Sequence, residues 1–100
     1  MGNSNYQSGT RYERKAMEKL EEAGYETMRT AGSHGIFDIL AVGPSVRLIQ
    51  HKSFEEGNDW QREYEEAVEK IRPLKKLDGV TYEVWVWKKY NGYIKQEVIK

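Results

Sequence analysis

The sequence predicts an α/β domain built on a central mixed five-stranded sheet flanked by helices, in the order α-β-β-β-α-β-β. Three observations predict it. Two stretches place apolar residues at helical spacing: Tyr12, Ala16, Met17, Leu20 and Ala23, then Trp60, Tyr64, Ala67, Val68 and Ile71. Between and after them lie runs rich in β-formers, bounded by turn residues. One pair of these runs, Ile36 to Val42 and Val46 to Lys52, carries apolar residues on both faces, as a strand covered by helices requires. The 100 residues fit one domain, which buries only roughly two-thirds of the surface that its unfolded chain exposes. No repeat, low-complexity tract or linker divides the chain.

Taken in order, residues 1–9 are polar and without period and read as a flexible arm, leaving 10–100 as the single domain. The first helix is expected from Thr10 to about Ala23, with Gly24 as its stop. Tyr25 to Thr30 alternates and reads as a strand, and Ala31 to Gly35, A-G-S-H-G, as a small-residue loop. The next two strands are joined by Gly43-Pro44-Ser45. Asn58-Asp59 cap the second helix, and Pro73, which has no N–H to donate, ends or kinks it near Arg72. After the turn at Asp78-Gly79, Tyr82 to Trp87 and Tyr93 to Ile99 read as strands around an Asn91-Gly92 hairpin turn. Trp85 and Trp87 share one face of the fourth strand, where core packing is the first reading and a dimer interface the second.

Sixteen basic residues balance sixteen acidic ones, so the net field selects no polyanionic partner. Arg11, Arg14 and Lys15 cluster early and Lys75, Lys76, Lys88 and Lys89 late, a pattern read first as a solvated mixed surface. The absence of cysteine excludes disulfides and thiolate-zinc staples and fits a reducing compartment. No apolar run approaches the roughly 20 residues that span a bilayer, and the polar start is not a signal peptide. A soluble intracellular, cytoplasmic protein with no membrane association is expected.

The hairpin raises a specific question. With Gly43 to Ser45 as the turn, Val42 faces Val46, Leu40 faces Leu48 and Asp38 faces Gln50. Alternation then puts Asp38, Leu40, Val42, Val46, Leu48, Gln50 and Lys52 on one face, and Phe37, Ile39, Ala41 and Ile49 on the other. Three polar residues gather at one end of an apolar face. Burying an unpaired carboxylate or ammonium costs several kcal/mol, so each group needs a partner. The plain reading is an Asp38–Lys52 ion pair at the sheet's edge. The alternative is a cation site: Mg²⁺ takes oxygen ligands, which Asp38, the Gln50 side chain and the main-chain carbonyl near His51 supply. With Lys52 beside the ion, the implied chemistry is hydrolysis of a phosphodiester.

Asp38, eleven intervening residues and Gln50-His51-Lys52 resemble the PD-(D/E)XK nuclease motif, with Gln50 where an acidic residue usually stands. Thr10-Arg11-Tyr12-Glu13-Arg14, Arg29-Thr30-Ala31-Gly32-Ser33 and Lys52-Ser53 resemble the archaeal-type Holliday junction resolvases, which also occur in viruses. The element order matches that family over nearly the whole chain. The resemblance implies a restriction-endonuclease-like sheet and a homodimer that binds branched, four-way DNA and nicks it with Mg²⁺, Mn²⁺ being able to substitute. It also implies site roles. Glu13 resembles the helix-borne metal carboxylate, Ser33 the loop serine, and Asp38 and Lys52 the metal-binding and catalytic pair.

Each residue also has a plainer reading. Thr10-x-x-Glu13 is a capping box as well as a site motif. Ser33 suits a turn hydroxyl as well as a site, and His34 is read as exposed before phosphate-touching. The His51 side chain is expected to point away from Gln50 and Lys52 into packing or a hydrogen bond, leaving only its main-chain carbonyl for a metal. Arg11, Arg14 and Arg29 are candidate DNA-backbone contacts, with solvated positions as the alternative. The whole assignment expects the carboxylate, amide and ammonium to meet beside the first helix. Three rivals stay open: a related nuclease that cuts flaps, single strands or duplex, a junction-binding protein weakened by Gln50, and an interaction protein without a nucleic-acid role.

Overall fold

The computed structural model describes residues 4–30, 36–55 and 59–100. Helix α1 (Ser4–Glu22) leads into strands β1 (Glu26–Arg29), β2 (Ile39–Val42) and β3 (Val46–Phe54). Helix α2 (Trp60–Ile71), β4 (Val80–Lys88) and β5 (Gly92–Val98) follow. The strands form one sheet in the spatial order β1-β2-β3-β4-β5. Only β3 and β4 pair in parallel, because the chain crosses between them through α2. The expected mixed sheet and αβββαββ order are therefore present, consistent with a restriction-endonuclease-like fold.

The first helix starts at Ser4 rather than Thr10, so residues 4–9 are helical backbone. Apolar periodicity reports a buried face, not helicity, and the one glycine there costs only about 1 kcal/mol within a helix. Glu13 consequently lies well inside α1, and the capping-box reading of Thr10-x-x-Glu13 falls. At the other end Gly24 adopts φ +98°. Its N–H bonds the Glu21 carbonyl and that of Tyr25 bonds Leu20, at 3.0 and 3.1 Å, the pattern that closes a helix on a left-handed residue.

Each face of the sheet is covered by one helix. Ala16 and Leu20 of α1 pack on Ile39, Ala41, Ile49 and Trp85. Ala67, Val68 and Ile71 of α2 pack on Tyr82, Val84 and Val86, with Leu48 against them. The alternation read along β3 and β4 is thus real, and both tryptophans of β4 serve the α1 side: Trp85 is buried and Trp87 stacks on Tyr12 at 4.0 Å between ring centres. Asp59 caps α2, accepting from the Arg62 N–H at 3.3 Å. At its far end the Lys76 ammonium donates to the carbonyls of Ile71, Arg72 and Leu74, each at 2.9 Å. That satisfies acceptors left open where Pro73 stops the helix.

Candidate active site

The site is built on the β2–β3 hairpin. Its register is the one expected, with Val42 opposite Val46 and Leu40 opposite Leu48. The strand stops short of Asp38, however, and regular alternation stops with it. The Asp38 N–H bonds the Ile49 carbonyl at 2.8 Å rather than facing Gln50, and Phe37 turns to the α2 side, its ring 5.9 Å from that of Tyr82. This corrects the expected placement of Phe37 beside Ile39. Freed from strict alternation, the Asp38 carboxylate accepts a hydrogen bond from the His51 N–H at 2.8 Å. It is thereby fixed against the β3 backbone between Gln50 and Lys52.

Gln50 and Lys52 lie two apart on β3 and so share a face, the one that carries Val84 and Val86 of β4. The Gln50 Oε1 atom is buried and has no hydrogen-bond partner among the described residues. A buried acceptor left open costs about 1–3 kcal/mol and calls for an explanation. The Lys52 ammonium lies 3.9 Å from Glu63 of α2. Gln50 and Lys52 thus lie on the α2 side of the sheet, and Asp38, bound to the His51 N–H between them, lies in the field of Lys52 and of Glu13 on α1.

Glu13 reaches the same end of the sheet from α1. Its Oε1 accepts from the Arg29 Nε at 3.1 Å. Burial raises the Glu13 carboxyl above its ordinary range, and the nearby Asp38 charge adds to the rise, while Arg29 opposes it. Burial likewise raises Asp38, against the His51 N–H, Lys52 and Arg29. Two carboxylates in one another's field, both held toward their protonated forms, mark a place where a cation is favoured. The donor set is of hard oxygen type: Asp38, Glu13 and the open Gln50 amide. Among the described residues, no group of three or more His, Cys, Asp or Glu side chains is gathered so that it could hold a metal ion. Oxygen donors of this kind, with waters and substrate phosphates completing the shell, are the type a hard divalent cation takes.

The family model described as archaeal Holliday junction resolvase (Hjc) matches residues 4–92. The chain belongs to the archaeal Holliday junction resolvase family. Its activity class is thus a nuclease acting on branched DNA. No curated protein matches the chain. No described helix is long and apolar enough to cross a membrane.

Not every anticipated residue falls within view. Ser33 and His34 lie outside the described residues, as does the Arg11 side chain. Arg14 is exposed and lines a shallow recess with Arg29, Met17, Glu18 and Glu21. The His51 ring points away from Gln50 and Lys52; it is buried, hydrogen-bonded to the Tyr93 hydroxyl at 2.9 Å, and burial lowers its pKa to about 4. Two features of this resolvase escaped the sequence reading. Glu63 follows Trp60 by three residues and precedes Ala67 by four, so helical spacing already set it at the edge of the buried stripe. The Tyr12–Trp87 stack anchors the turn of α1 that carries Glu13 to the end of β4 nearest Lys52, a contact without any local signal.

Proposed function

We propose that this resolvase is a structure-selective endonuclease that cuts four-way DNA junctions as a homodimer, by Mg²⁺-dependent phosphodiester hydrolysis inside the cell. The observation that carries the reading is the open, buried Gln50 oxygen next to the point where Asp38 is fixed on the His51 N–H. Asp38, Gln50, Glu13 and the main-chain carbonyl of His51 are the groups to hold the ion. A divalent cation there supplies charge neutralisation at the scissile phosphate and a more acidic water. The rest falls to the chain. The His51 N–H keeps the Asp38 carboxylate in one orientation, and Lys52, 3.9 Å from Glu63, orients or deprotonates the attacking water and offsets charge developing on the phosphate. Ser33 is assigned with Glu13, Asp38, Gln50 and Lys52 to the catalytic set, and Arg11, Arg14, Arg29 and His34 to the DNA side of the site. Two such sites related by a two-fold axis suit a junction in which two strands must be cut.

The test is cleavage of a labelled four-way junction and a matched duplex with Mg²⁺. The wild type is expected to nick the junction preferentially, and Asp38→Ala and Lys52→Ala are each expected to lose roughly 10²-fold or more. Equal cutting of both substrates replaces the junction reading with that of a related nuclease of broader choice. The neutral Gln50 favours one further reading, a junction binder with weakened catalysis. Binding without nicking even in Mn²⁺, with nicking gained in Gln50→Glu, establishes that one.

A further inference from the structure

Arg29 ends β1, paired in register with Ile39, the residue after Asp38. The next N–H along, that of Thr30, donates to the Asp38 carbonyl at 3.0 Å, so the backbones that carry Arg29 and Asp38 are stitched together. From this fixed base the guanidinium reaches the Glu13 carboxylate at 3.1 Å, with the two side chains only 25% and 19% exposed. It also lies in the field of Asp38. The guanidinium thus bears on both carboxylates of the site, alongside the Lys52 ammonium at Asp38.

We infer that Arg29 is the resident counter-ion of the Glu13–Asp38 pair and must pass to a DNA phosphate before a divalent cation can use Glu13, so that metal and DNA binding are coupled. The inference rests on the nuclease reading above. Two part-buried carboxylates need positive charge; at Asp38 Lys52 and the Arg29 guanidinium share that role, and at Glu13 the guanidinium supplies it. A metal ion arriving without DNA has to compete with that guanidinium for Glu13 and meets its repulsion at Asp38. A phosphate changes the balance. Guanidinium is weakly hydrated and grips phosphate through paired N–H bonds as readily as carboxylate, so the exchange conserves its hydrogen bonds. Glu13 is then released, while the incoming phosphate brings oxygen ligands of its own. The cation is gathered fully only when substrate is present.

Reciprocity demands that if DNA tightens metal binding, metal tightens DNA binding by the same factor, in the range of about 5–150-fold for ordinary coupling. The experiment measures Mn²⁺ binding to the free full-length chain by calorimetry, and four-way junction affinity with and without Ca²⁺. Free Arg29→Gln is expected to bind Mn²⁺ about 5-fold tighter than wild type or better. Ca²⁺ is expected to tighten junction binding by wild type but not by Arg29→Gln. Glu13→Gln approaches the same contact from its other side, should one variant fail to fold. It is expected to keep the Mn²⁺ affinity of the free wild type within about twofold while losing the Ca²⁺ effect on the junction.

Mn²⁺ binding no tighter in Arg29→Gln, or a large loss in free Glu13→Gln, overturns the exchange. If that happens while Asp38→Ala still abolishes metal binding, the exchange alone fails. If wild type takes up neither ion, alone or on the junction, or Asp38→Ala binds them unchanged, the metal-site reading fails and the exchange with it.

Discussion

His51 shows how much a single position can divide its labour. Its N–H orients Asp38 toward the site, while its ring lies buried on the other face, in edge contact with Tyr93 at 5.6 Å. The unfolded chain takes up the imidazole proton near pH 6.5, and the folded one resists until about pH 4. Stability from this group is therefore fully present above about 6.5 and is lost as pH falls through that window, by roughly 3 kcal/mol. Denaturant unfolding of wild type and His51→Gln from pH 7.5 to 4.5 is expected to show their difference shrinking toward acid. Glu13 and Asp38, whose pKa values are raised from 4.5 and 3.8, pull the opposite way at pH values above those, overlapping this window, which is why the comparison is made between variants. Arg47 and Glu83 present the other buried ionic case. Glu83 is 2% exposed and accepts from Arg47 at 2.8 and 2.9 Å, from the Trp85 indole at 2.9 Å and from Thr81. Burial alone raises its carboxyl, but these donors together bring it below the ordinary value. Arg47→Met strips the two strongest of them, and the expected cost in denaturant unfolding is about 3 kcal/mol or more.

At the scale of elements, the hairpin that carries Asp38 and Lys52 is held in place at its turn. A Cβ on Gly43 meets the Gly24 carbonyl oxygen at 2.7 Å and Tyr25 at 3.1 Å, so the turn sits against the end of α1 with no room for a methyl group. Ser45 adds a hydrogen bond to the Tyr25 hydroxyl at 3.0 Å. Because one of the close atoms is backbone, Gly43→Ala cannot be relieved by a rotamer change. It is expected to cost about 1–3 kcal/mol and to lower thermal stability accordingly, a melting curve being the check. The two ends of α2 were readable in advance from Asp59 and Pro73. That Lys76 closes the second end was not, since a lysine five residues beyond the helix shows nothing in sequence of where its ammonium goes.

For the whole molecule, zero net charge means that attraction to DNA has to come from local placement rather than from an overall field. Arg14 and Arg29 share one recess near the site and are the described candidates. Junction affinity is expected to fall with salt along a log–log line. Arg14→Gln and Arg29→Gln should each flatten its slope by about one per phosphate contact removed, hence about two in a symmetric dimer. An unchanged slope removes the residue from the DNA surface. The architecture explains the economy of the design: helices on both faces leave the sheet's end, where β3 finishes and β2 starts, as the place where side chains from α1, β1, β2, β3 and α2 converge.

The sequence by itself determined the element order, the mixed sheet, the hairpin register from Val42–Val46 to Leu40–Leu48, and the motif by which the family is known. These are local quantities: period, turn chemistry and spacing are written in neighbouring residues. It also pointed to Asp38, Gln50 and Lys52, because charge inside an apolar run is visible without coordinates. Only the tertiary structure decided that Asp38 breaks alternation to bind the His51 N–H, that Glu13 is held by Arg29 rather than capping its helix, and that Lys52 turns to Glu63. Each of those depends on which distant segment arrives within about 3–4 Å, a distance set by packing of helices on the sheet and not by any pattern along the chain.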